Sequence, residues 1–119
     1  MKIVINSCYG GFGLSHEGIM RYAELAGITL YVEGDPRDML HYYTIPKEER
    51  TETNSGYFYI GYDFNRADEH LVQVVEKFGR KSFGPHASLS IVEIPDDVDW
   101  QVEEYDGIEH VAEKHRTWC

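Results

Sequence analysis

Three β-branched residues in a row, Ile3, Val4 and Ile5, set the first constraint on this chain. Lys2 to Ser7 therefore reads as a buried strand, because such side chains suit a pleated sheet that is covered from water. A loop from Cys8 to Leu14 follows and holds Gly10, Gly11 and Gly13. Ser15 then suits the N-cap of a helix over about His16 to Ala26, since its hydroxyl can accept an unpaired backbone N–H. Ile19, Tyr22, Ala23 and Ala26 recur on one helical face, and Gly27 is a natural stop.

Ile28 to Glu33 alternates apolar and polar residues, which predicts a strand with one buried face. Gly34-Asp35-Pro36 predicts a turn. Leu40 to Ile45 and Tyr57 to Tyr62 read as two aromatic strands, joined by an exposed polar connection at 46–56. Leu71, Val74, Val75 and Phe78 form the apolar stripe of a second helix that starts at Asp68 and Glu69 and stops at Gly79. Strands are expected over Ala87 to Ile94 and Val98 to Tyr105. Asp106 and Glu109 match a D-x-x-E helix start, which predicts a third helix with Ile108, Val111, Ala112 and His115 inside.

The expected order is β-α-β-β-β-α-β-β-α. The expected class is α+β with an α/β-like start: one mixed sheet of about five to six strands, two main helices and a short C-terminal helix. Only the first βαβ unit reads as a parallel crossover. A length of 119 residues fits a single domain, 1–119.

Charge narrows the function classes. Eleven Lys and Arg against twenty-one Asp and Glu give a formal net charge of −10. That balance makes nucleic acid an unlikely partner, since phosphate-backbone binding draws on Lys and Arg. It permits a basic protein or a small ligand. No stretch approaches the ~20 apolar residues of a membrane helix. The N-terminus turns polar at Asn6 and does not read as a signal peptide. Cys8 and Cys119 form no disulfide framework, so a reducing, cytoplasmic compartment is expected.

Four groups of residues could carry chemistry. The loop Cys8, Tyr9, Gly10, Gly11, Phe12, Gly13 to Ser15 lies between a strand and a helix start. Its glycines let backbone approach a ligand, and free N–H groups at a helix N-terminus favour an anion. It matches neither Walker A nor G-x-G-x-x-G, so the competing reading is a tight structural connection. Cys8 could be a nucleophile near a helix N-terminus if His16, His86, His110 or His115 served as base; a buried inert thiol is the other reading. The six histidines are scattered, with no metal-ligand spacing, so neither a metal nor another cofactor is expected.

Residues 93–113 hold nine acids and no Lys or Arg. They read either as a docking face for a basic surface or as solvated edge charges. Arg116 and Trp118 near the end are interface-type residues that could serve a ligand site. Tyr42, Tyr43, Tyr57, Tyr59 and Tyr62 make both faces of the central strands aromatic, one to be covered by helices and one by a ligand or a partner subunit. A homo-oligomer is one way to cover it.

The stretches KIVINSCYGGFGLS, LVQVVEKFG and LSIVEIPDDVDWQVEEYDGIEHVAEKHRTW resemble a family of short phage- and prophage-encoded proteins, least so over residues 35–65. The resemblance implies no particular activity. It implies an accessory factor acting on host components, including host immune signalling. Three functions stay open: a non-enzymatic protein binding a small nucleotide-like or other anionic ligand; an acidic module inhibiting a host protein; and a small Cys-dependent enzyme.

Overall fold

The computed structural model describes residues 1–114. Seven strands and two α-helices follow one another as β1 (Lys2–Asn6), α1 (His16–Ala26), β2 (Tyr31–Gly34), β3 (Leu40–Tyr43), β4 (Tyr57–Phe58), α2 (Glu69–Phe78), β5 (Leu89–Glu93), β6 (Trp100–Tyr105) and β7 (Ile108–Glu113). Short 3-10 turns at Lys47–Glu49 and Gly79–Ser82 complete the order. The class is α+β, but the strands form three small sheets instead of one: β1-β5, β2-β3-β4 and β6-β7.

Every pairing is antiparallel. The expected parallel crossover is absent, because β1 and β2 belong to different sheets. The reason lies on the free edge of β1. There Val4 N–H donates to the Arg66 carbonyl at 2.9 Å, and Asn6 N–H donates to the Glu109 carboxylate at 2.8 Å. Irregular backbone and a side chain take the hydrogen bonds that a further strand would have made.

The expected third helix is strand β7. Tyr105 pairs with Ile108, leaving Asp106-Gly107 as a two-residue hairpin turn with φ of 52° and 88°. Both central residues at positive φ is the turn geometry that matches strand twist, and Asp-Gly is a preferred pair for it. The turn overrides the D-x-x-E pattern, and Glu109 caps no helix.

The two expected main helices form, capped at Ser15, Asp68 and the glycine stops. The Ser15 hydroxyl accepts from Gly18 N–H at 3.0 Å, and Gly27 ends α1 in the left-handed region. Asp68 accepts from His70 and Leu71 N–H groups at the start of α2. The apolar stripe of α2 meets β1 and α1 in a core built from Val4, Leu14, Tyr22, Ile60, Leu71, Val74, Val75 and Leu89. No helix among the described residues is long and apolar enough to cross a membrane.

In β2-β3-β4, Val32, Tyr42 and Phe58 pair across one face, and Tyr31, Tyr43 and Tyr57 across the other. On the first face Tyr42 and Phe58 turn inward while Val32, expected to be buried, stays exposed: Tyr42 is buried, its hydroxyl 2.8 Å from His16 Nδ1, and Phe58 stacks on Tyr22. The second faces water.

Tyr22 ties α1 to α2. Its hydroxyl donates to Asp68 Oδ2 at 3.0 Å. Burial, then that bond, push its pKa up to about 12. The unfolded chain ionises first, near the ordinary value of 10.0, so this stabilisation is complete below that pH and is lost as pH rises toward about 12. Tyr22→Phe is expected to be less stable than the parent at neutral pH. Urea titrations should show the gap narrowing as pH rises through that window; a constant gap would contradict the assignment.

Candidate functional site

The Gly-rich loop leaves β1 at Asn6, whose side chain is fully buried. Its Nδ2 donates to the carbonyls of Cys8 and Gly107, each at 2.7 Å. Its Oδ1 accepts from Ser88 N–H at 2.8 Å. One amide thus fastens the loop to the hairpin turn and to the approach to β5, and leaves no buried polar atom of its own unpaired.

The hairpin is held from below by a buried ion pair. Arg66 Nη1 donates to Glu109 Oε1 at 2.5 Å, and Nη2 donates to Oε2 at 2.7 Å. The Arg66 and Glu109 side chains are only 2% and 1% exposed. Such a two-point pair fixes orientation as well as distance. Arg66 also donates from Nη2 to the Tyr62 carbonyl at 3.1 Å, and its guanidinium lies 3.6 Å over the Phe12 ring. Glu109 Oε1 accepts from Asn6 N–H as well, so the pair joins β1, the 62–66 segment, the loop and β7.

The glycines serve close packing. A Cβ on Gly10 would stand 2.2 Å from the His86 carbonyl oxygen. A Cβ on Gly107 would stand 2.7 Å and 2.8 Å from the amide nitrogens of Gly11 and Gly10. The hairpin turn therefore lies against the very amides that would cradle an anion. Further along, Gly13 accepts from Gly84 N–H at 2.9 Å, Leu14 is buried and bridges to Phe83, and Phe12 packs on the core. The Ser15 hydroxyl is taken up by Gly18 N–H and the Lys81 carbonyl. Tyr9 is the loop side chain that projects, 70% exposed.

Cys8 is half-buried, with Sγ 3.4 Å from both Asn6 Oδ1 and the His86 carbonyl oxygen. Its hydrogen-bond partners include no imidazole. His16 is engaged with Tyr42, and His110 lies 3.1 Å from Glu103. Arg116 and Trp118, like His115 and Cys119, lie outside the described residues. Among the described residues, no three His, Cys, Asp or Glu side chains gather as a metal site. Open surface depressions of about 410 Å³ (Met1, Lys2, Val72, Gln73, Asp96) and 530 Å³ (Leu25, Gln73, Glu76, Lys77) sit on the α2 side and do not border the loop.

The acidic segment splits into two roles. Glu109 is buried under the hairpin, while Glu93, Asp96, Asp97, Asp99, Glu103, Glu104, Asp106 and Glu113 are exposed. Glu104 Oε2 accepts from Gly107 N–H at 2.8 Å and stiffens the turn. Tyr105 beside it is 76% exposed. The loop and the turn, about a hundred residues apart in sequence, thus form one fastened end that presents Tyr9, Tyr105, Glu103, Glu104 and Asp106. Asn6, Arg66, Gly107 and Glu109 hold that end. Asp106-Gly107 was the readable signal for it; nothing in the sequence marks Arg66 and Glu109 as partners.

No protein-family model matches the chain. The searches of curated proteins and of solved structures likewise return no match.

Removing one member of a buried pair leaves the other charge uncompensated, at about 3–5 kcal/mol. Glu109→Ala should lose that much in urea unfolding. The Arg66→Met/Glu109→Leu double variant should lose less than Glu109→Ala alone; additive losses would refute the pairing. Gly107→Ala, strained by its positive φ and by the loop amides, should cost more than ~1 kcal/mol and move the amide resonances of Gly10 and Gly11.

Proposed function

We propose that this chain is a non-enzymatic binding protein that docks a basic protein surface with its fastened acidic end. The observation that carries the reading is the fastening of two exposed tyrosines, Tyr9 on the loop and Tyr105 on the hairpin, beside the exposed carboxylates of Glu103, Glu104 and Asp106. Tyrosine supplies much contact area for little conformational entropy, and carboxylates steer and orient a basic partner. Pre-ordering lowers the cost of association, and here the Asn6–Glu109–Arg66 network supplies it.

The anionic-ligand reading uses groups that are less available. The loop amides face Gly107, the Ser15 hydroxyl is engaged, and the Arg66 charge is spent on Glu109. Among the described residues, no imidazole is hydrogen-bonded to Cys8 Sγ to serve as a base. A resemblance to phage-encoded proteins supplies a setting, with a host protein as the partner and its inhibition as the outcome.

The test uses a short oligolysine peptide as a probe. Calorimetry should give an affinity that falls steeply with salt. Glu103→Gln/Glu104→Gln/Asp106→Asn should weaken it about tenfold, three contacts at ~0.5 kcal/mol each. The matched Glu17→Gln/Glu24→Gln/Glu69→Gln variant, on the exposed faces of α1 and α2, should bind like the parent. Equal losses in both variants would reduce the effect to overall charge and end the proposal.

A further inference from the structure

The outward face of β2-β3-β4 carries a row of aromatic rings, of which Tyr31, Tyr57 and Tyr59 are exposed among the described residues. Tyr31, Tyr43 and Tyr57 lie opposite one another across the three strands. Tyr43 meets Tyr57 edge-on at 5.6 Å between ring centres, and Tyr57 and Tyr59 are parallel within 10° at 6.5 Å. His41 adjoins Tyr57 at 6.2 Å. Tyr57 is 53% exposed and Tyr59 72%. An exposed group of large rings on one rigid sheet is unusual unless something covers it.

The fold already places one occupant on this row. Arg50, from the connection between β3 and β4, sets its guanidinium 3.6 Å over the Tyr43 ring. The same guanidinium pairs with Glu33 on β2, and its Nε donates to the Ile45 carbonyl at 2.9 Å. Ring face plus neighbouring carboxylate is the chemistry that suits a flat, always-charged guanidinium better than an ammonium. The Tyr57–Tyr59 pair continues the row beyond Arg50 and is exposed among the described residues. The stretch that builds this sheet is net acidic, which suits a basic partner: residues 31–62 carry Glu33, Asp35, Asp38, Glu48, Glu49 and Glu52 against Arg37, Lys47 and Arg50. A net charge of −10 opposes a second copy of the chain as the occupant.

We infer that the Tyr57–Tyr59 pair is a docking surface for arginine side chains of a basic polypeptide, repeating for a partner the contact that Arg50 makes on Tyr43. This surface is separate from the acidic end and extends the binding reading by naming the residue type that is read. The acidic end attracts any cation; the tyrosine row distinguishes arginine from lysine.

The experiment compares oligoarginine and oligolysine peptides of equal length, by fluorescence anisotropy at physiological ionic strength. The parent should prefer the arginine peptide by about tenfold, from one or two ring–guanidinium contacts. Tyr57→Leu/Tyr59→Leu keeps apolar bulk but removes the rings, and should bind the two peptides alike. Tyr57→Phe/Tyr59→Phe keeps the rings and should keep the preference, which also shows that the face tolerates substitution. No preference in the parent, or a preference that survives the Leu variant, overturns the inference. Glu103→Gln/Glu104→Gln/Asp106→Asn should weaken both peptides by the same factor and leave their ratio unchanged. A lost ratio in that variant would place arginine recognition at the acidic end and also overturn the inference. Unchanged affinities there, with the ratio intact, would remove the acidic-end reading and leave the tyrosine row standing.

Discussion

The Arg66–Glu109 pair is the contact on which the layout turns. A two-stranded hairpin is marginal alone in water, and β6-β7 shares no ladder with either other sheet. Its attachment is a buried charge pair supported by the Asn6 backbone and the Tyr62 carbonyl. A greasy patch would allow sliding. A two-point ion pair whose Oε1 also accepts from Asn6 N–H allows one register, and the position of Gly107 over the loop follows from it.

Two kinds of carboxylate come out of one stretch of sequence. Glu109 is withdrawn from water and structural, whereas its neighbours remain solvated and available. Contact with Arg66 and the Asn6 N–H makes this division, since Glu104, the pair of Glu109 across the hairpin, and Glu113, on the same face of β7, stay exposed. As a helix the same segment would have distributed these charges differently, and the loop would have had no lid. The acidity of the chain is thus organised by the hairpin turn at Asp106-Gly107.

The parts of the fold that were legible are those with local causes. Both α-helices follow from their apolar spacing and from Ser15, Asp68 and the glycine stops. Strand β1 follows from its β-branched run, and the split of Tyr57 from Phe58 between faces follows from the pleat. What was not legible depended on distant partners. Ile108, Val111 and Ala112 fit a helical face as well as they fit β7, and only the Asp-Gly turn decides between them. Arg66 in Asn-Arg-Ala-Asp and Glu109 among eight other acids carry no mark of burial. Glycines in the loop suggest room for a ligand, whereas the structure uses Gly10, and Gly107 of the hairpin turn, as room for other backbone. The same permissive residue serves either purpose, so only the neighbour tells them apart.

The pairing of β1 with β5, and of Asn6 with Glu109, has a consequence for the order in which the molecule can be made. Asn6 and Glu109 are separated by 103 positions. A ribosome delivers the apolar strand β1 first, and its ladder partner and its ion-pair cover arrive only after α1, the tyrosine sheet and α2. Until then, Ile3, Val4 and Ile5 form an unpaired, sticky edge on a nascent chain. Closure of that edge waits on contacts across most of the chain, and such long-range antiparallel pairing is expected to slow folding for a domain of this size.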